Sequence, residues 1–108
     1  MTHPAKGDEN EKIIVEIDPD LEELIPGYLD NRHKDLKTLR AALEQDDFET
    51  IQRLGHTMKG SGAGYGFDLI SAIGLTMEEG AKEKSAEKIR ATADELLDFL
   101  NRVEVVFK

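Results

Sequence analysis

The feature that most constrains this 108-residue chain is the recurrence of apolar side chains every three or four positions, broken only by short polar or glycine-containing stretches. That spacing lines side chains along one stripe of an α-helix. Ile25, Leu29, Leu36, Leu39 and Leu43 mark a helix ending near Gln45, and Phe48, Ile51, Leu54, Gly55, Met58, Gly62 and Tyr65 mark the next. Phe67, Ile70, Ile73, Gly74, Met77 and Ala81 follow, then Ile89, Ala93, Leu96, Leu97, Leu100, Val103 and Phe107. Four amphipathic helices with short connections bury their stripes most simply against one another. The pattern therefore predicts an all-α, up-down-up-down antiparallel four-helix bundle.

Local signals place the boundaries. Asp18-Pro19 is a capping side chain followed by a proline at the first helical position, which predicts a short extra N-terminal helix lying across one end of the bundle. Pro26-Gly27 is expected to interrupt or kink the pattern, and Asp46 with Glu49 three residues later reads as a capping box. A break falls around Gly64-Tyr65-Gly66, a polar connection at Lys82-Glu83-Lys84, and a cap at Ser85. Met1 to Lys12 is polar and aperiodic, with Pro4 and Gly7, as expected of a flexible tail. Ile13 to Ile17 has β-like composition but no second strand signal to pair with, so it reads as an extended arm. The expected division is residues 1–17 as tail and arm and 18–108 as the bundle domain.

Composition removes several function classes. Without cysteine there is no disulfide framework, thiol nucleophile or zinc-thiolate site. His3 falls in the tail and His33 on the edge of a helix's apolar face, where it reads as a packed or hydrogen-bonded histidine; neither forms an i, i+4 metal pair with His56. Fourteen Lys plus Arg against 23 Asp plus Glu give a net charge of −9, which repels nucleic-acid phosphates and anionic lipid. No apolar run approaches the ~20 residues of a membrane span, so a cytoplasmic protein is expected. The charge is uneven: residues 1–50 hold 14 acids and 6 bases (−8), and 51–108 hold 9 and 8 (−1).

The helix through His56 carries the chemistry. Its apolar set lies within about 60° of Ile51 around the axis, whereas His56 falls near 140°, pointing outward or to the shoulder. Gln52, Lys59, Gly60 and Ala63 share its surface stripe. Gly55 and Gly62 face the core, where small residues let a neighbouring helix approach. Gly60 faces away, and a glycine in an exposed helix interior costs ~1 kcal/mol relative to alanine. Clearance accounts for it, because a helical side chain leans toward the preceding turn and anything larger at 60 would overhang His56. A neutral imidazole is a competent nucleophile, and a lysine donates to phosphate oxygens as a mobile point charge. Nucleophile, cation and bare backbone on one stripe suit in-line phosphoryl transfer. No Walker loop, kinase glycine loop or Mg²⁺-binding carboxylate cluster is identifiable. Gly60-Ser61-Gly62-Ala63-Gly64 follows an amphipathic helix rather than a strand, unlike a phosphate-cradling loop. The chain is thus expected to receive its phosphoryl group from another protein and to have no ATP site.

His56-Thr57-Met58-Lys59-Gly60-Ser61-Gly62-Ala63-Gly64-Tyr65-Gly66-Phe67 resembles the signature of the histidine-containing phosphotransfer (Hpt) domain family: His-x-x-Lys-Gly, small residues, then Gly-Phe. Leu-Ile-Pro-Gly-Tyr-Leu-Asp-Asn-Arg (24–32) and Asp47-Phe48 are similar to helix starts of such domains, and the resemblance covers about residues 18–108. It implies that His56 is phosphorylated, that Lys59 steadies the phosphoryl group, that Gly60 leaves access, and that the partners are receiver domains with a phosphorylatable aspartate. Gln52 and Ala63, with Leu69 and Leu75 off the centre of the next helix's apolar face, are candidate partner contacts; Met58 and Met77 read as core.

The expected function is a monomeric phosphoryl carrier in a two-component relay, fed by a histidine kinase or hybrid kinase and its receivers. No cofactor is expected on this chain, with Mg²⁺ on the partner receiver. Two alternatives are the phosphoryl-accepting domain of a larger chemotaxis-type or hybrid kinase, and a helical adaptor that binds receivers without turnover.

Overall fold

The computed structural model describes residues 11–108. Strand β1 (Ile13–Ile17) is followed by a 3-10 turn (Pro19–Leu24) and four helices, α1 (Ile25–Glu44), α2 (Phe48–Tyr65), α3 (Asp68–Lys82) and α4 (Ala86–Arg102); strand β2 (Val103–Phe107) comes last. The four helices form the helical bundle expected of the apolar stripes, around a core that includes Leu39, Ile51, Met58, Phe67, Ile70, Met77, Ile89 and Leu96. Most of the expected tail, residues 1–10, lies outside the described residues.

Capping sets the helix starts. The Asp18 carboxylate accepts from the Asp20 amide at the head of the 3-10 turn, so the N-terminal helix signal produces one tight 3-10 segment rather than an α-helix. Pro26 does not interrupt a helix. It occupies the first turn of α1, where its missing N–H is no loss. Asp47, not Asp46, caps α2: its side chain accepts from the Thr50 amide at 3.2 Å and from the Thr50 hydroxyl at 2.6 Å. These hydrogen bonds to Thr50 hold the Asp47 carboxyl below its usual range. Ser85 caps α4 through the Lys88 amide. Gly66 ends α2 in the left-handed region (φ 92°), which glycine enters without the penalty that a Cβ brings.

The expectation of an unpaired arm is corrected. β1 pairs in parallel with β2, in the register Ile13↔Val103 to Ile17↔Phe107. Val103 and Phe107, read from their spacing as the end of the last helical stripe, belong to a strand instead. The helix stops at Arg102 because Val103 turns to extended backbone (φ −69°, ψ 135°), and Val103, Val105 and Phe107 then alternate inward against the core with Ile13, Val15 and Ile17. His33 and Leu97 are exposed rather than packed.

Candidate functional site

The site is built where α2 and α3 touch backbone to backbone. A Cβ placed on Gly55 would fall 2.7 Å from both the Glu78 amide nitrogen and the Gly74 carbonyl oxygen, and one on Gly74 would collide with the Lys59 backbone. Farther along, a Cβ on Gly62 would meet the Ser71 backbone, and the Ser71 hydroxyl donates to the Lys59 carbonyl at 2.8 Å. Three glycines thus draw the helices together. Gly74 and Glu78 stand one turn apart on α3, so the close approach delivers the Glu78 side chain against α2.

There the Glu78 carboxylate serves two partners. Oε2 lies 3.1 Å from Nδ1 of His56, and Oε1 accepts from Nζ of Lys59 at 3.1 Å. The Glu78 side chain is 10% exposed, that of Lys59 37% and that of His56 68%. The Lys59 ammonium is the main cause holding the Glu78 carboxyl below its usual value; partial burial opposes the shift, and His56 adds to it. Glu78 is therefore ionised at neutral pH and can only accept hydrogen bonds. That decides the tautomer of the imidazole: Nδ1 carries the proton and donates to Glu78, and in the neutral ring Nε2 holds the lone pair. Nε2 is the nitrogen free for chemistry.

A Cβ on Gly60 would meet nothing within 4 Å, and the same holds for Gly64. No packing demand explains glycine at 60, and a Cβ there would not touch the His56 ring either. Gln52 and His56 line one shallow depression with Glu49, Arg53, Thr57 and Glu78. Ala63 and Leu75 are exposed. Leu69 is 50% exposed but lines a different depression, between α3, α4 and β1. Among the described residues no group of three or more His, Cys, Asp or Glu is arranged to hold a metal ion, and no helix is long and apolar enough to cross a membrane.

Sequence reasoning missed Glu78. The signal was present, since Gly74, Glu78 and Ala81 fall at i, i+4 and i+7 on one stripe of α3, and an acid on an otherwise core-facing stripe calls for a partner. It also missed Arg32, buried on α1, which stacks on the Tyr28 ring at 4.4 Å and donates to the Ser61 hydroxyl at 3.3 Å. Tyr28 shares that hydroxyl at 3.0 Å. These contacts tie α1 to the flank of α2 away from His56.

His56 thus stands exposed on α2 with the Glu78 carboxylate, itself paired with Lys59, against its ring. The Hpt domain model matches residues 23–105, most of the chain, and the protein belongs to the Hpt domain family. Hpt domains carry phosphoryl groups on histidine in two-component phosphorelays, are not kinases, and interact with receiver domains and kinases. Comparison with curated proteins and with solved structures gave no significant match.

Proposed function

We propose that this chain carries a phosphoryl group on Nε2 of His56, taking it from and returning it to receiver-domain aspartates. The observation that carries the reading is the ionised Glu78 on Nδ1, which leaves the exposed Nε2 as the nucleophilic nitrogen. A receiver presents its aspartyl phosphate over the ring, and Nε2 attacks phosphorus in line. The N–P bond forms as the acyl P–O bond breaks, and the electron pair leaves on the receiver's aspartate carboxylate. The ring becomes a phosphoimidazolium that keeps its Nδ1 proton, and Glu78 opposes the new positive charge. Lys59 turns its ammonium to the phosphoryl oxygens, and Gly60 keeps the approach open. Reversal uses the same groups.

In this reading the chain binds no cofactor, and Mg²⁺ acts on the receiver. The helices run up-down-up-down, supported by short loops and by α2–α3 contacts (55 with 78, 62 with 71) that run in opposite order along the two helices. The chain works as a cytoplasmic monomer, with Gln52, Ala63 and Leu75 meeting the receiver. The test is phosphoryl transfer from a phosphorylated receiver to wild type and to His56→Gln. An acid-labile, alkali-stable label is expected on wild type alone. Its persistence in the variant overturns the assignment of His56; its absence from both indicates an adaptor without turnover.

A further inference from the structure

On the side of α3 turned away from Glu78, a groove runs between α3, α4 and β1. Ile13, Leu69, Ala72, Ile73 and Phe99 make its apolar floor, with Glu95 and Asp98 beside it. A second depression continues from it along β1, sharing Ile13 and Leu69 and adding Ile14, Glu16 and Asp68. Leu69 is 50% and Ile14 56% exposed, so two large apolar side chains stand half in water at the centre of this surface. Every ionisable side chain lining the two depressions is an acid: Glu16, Asp68, Glu95 and Asp98. Asp98 pairs with Arg102 and Glu16 with Lys108, while Glu95 and Asp68 have no ion-pair partner among the described residues. The groove cavity, about 170 Å³, is smaller than the ~300 Å³ at which ligand pockets begin, so it suits an anchoring side chain rather than a cofactor.

We infer that this groove docks a basic amphipathic helix of a partner protein, with apolar residues at i, i+3 and i+4 seated over Leu69, Ala72 and Ile13, and lysine or arginine on its flanks facing Glu95 and Asp68. Exposed apolar side chains rimmed by charge mark interaction surfaces, and an apolar trough between two helices is the form that receives a helix. The sign of the rim selects the partner. It repels an anionic membrane and a second copy of this chain, whose own charge is −9. The stripe Leu69, Ala72, Ile73, Thr76 lies about 170° around α3 from Glu78, and the two depressions have no lining residue in common with the one around His56. The docked helix and a receiver therefore bind together, and a kinase or regulator can be held while His56 stays accessible. The docking does not depend on the reading of His56.

The probe is a synthetic amphipathic helix of leucine and lysine titrated into the protein and followed by amide chemical shifts, with a leucine–glutamate helix as the control. The expected result is salt-sensitive binding of the lysine peptide that shifts residues 13–17, 69–76 and 95–99 and leaves Gln52 and His56 unmoved. Both at exposed positions, Leu69→Ser weakens it by about tenfold, the scale of one lost apolar anchor, and Glu95→Gln by about three- to fivefold, the scale of one exposed ion pair. Glu44→Gln, on α1, changes affinity less than about twofold. Equal binding of the glutamate peptide, shifts spread over all acidic faces or centred on His56, or equal weakening by Glu44→Gln overturns the proposal. Concentration-dependent self-association that shifts the same residues without peptide also overturns it, by making a second copy the occupant.

Discussion

Alanine substituted for two glycines of α2 separates packing from access. At Gly60 a Cβ meets nothing within 4 Å, so Gly60→Ala gains only the helix propensity of alanine over glycine, ~1 kcal/mol. At Gly55 the same gain is opposed by a methyl 2.7 Å from two backbone atoms of α3. Neither atom can rotate away, so the helices must separate, at the upper end of the ~1–3 kcal/mol cost of overpacking. The net is a loss of about 2 kcal/mol. For a domain of this size 1 kcal/mol moves the melting temperature by ~4 °C. Gly60→Ala should therefore melt about 4 °C above wild type and Gly55→Ala about 8 °C below it, read by circular dichroism at neutral pH. Phosphotransfer runs the other way for Gly60, since the added methyl, though out of contact with the imidazole itself, narrows the surface over which a receiver reaches His56. A Gly60→Ala protein that melts below wild type, or that transfers at the wild-type rate, refutes the clearance account. A Gly55→Ala protein as stable as wild type refutes the close approach of α2 and α3.

Glu78→Gln should slow transfer, since an amide cannot oppose the charge of a phosphoimidazolium, and it should remove an acid dependence of stability. Because the folded Glu78 carboxyl titrates below its usual 4.5, its contribution is fully present above that value and is lost as pH falls through the lower folded value. Wild type minus Glu78→Gln in urea melts should hence be constant near neutrality and shrink in that acid window; a constant difference into strong acid contradicts it. Lys59→Ala should slow transfer or shorten the phosphoryl lifetime and move the Glu78 titration upward, measured by side-chain carboxyl shifts; an unmoved titration removes Lys59 as the main cause. Ser85→Ala should cost ~1 kcal/mol, or ~4 °C, by unsatisfying the first turn of α4.

The helices and the reactive stripe were legible in the sequence because both depend on spacing within one segment: Ile51, Met58 and Gly62 state one face of α2, and His56, Lys59 and Gly60 another. What depends on a distant partner was not. Ile13 to Ile17 looked unpaired because its partner lies 90 residues away, and Val103 and Phe107 continue the helical interval from Leu96 and Leu100 while also obeying the two-residue alternation of a strand. Glu78 stands out in sequence only as an acid on the core-facing stripe of Gly74 and Ala81, and its partners His56 and Lys59 emerge only when Gly55 and Gly74 are set against each other. Asp46 and Asp47 are equivalent capping candidates in sequence, and only the backbone chooses between them.

The parallel strand pair also has a mechanical consequence. Chain enters β1 at one end of the ribbon and leaves β2 at the other, so tension applied through the two flanks pulls the strands past each other lengthwise. All the interstrand hydrogen bonds then bear the load together instead of parting one at a time. Closing a loop of 90 residues costs about 4 kcal/mol in chain entropy, which places this clasp late in folding, after the helices have brought its halves side by side. Once closed, it is the element a pull on the flanking chain meets first, and the bundle bearing His56 lies behind it.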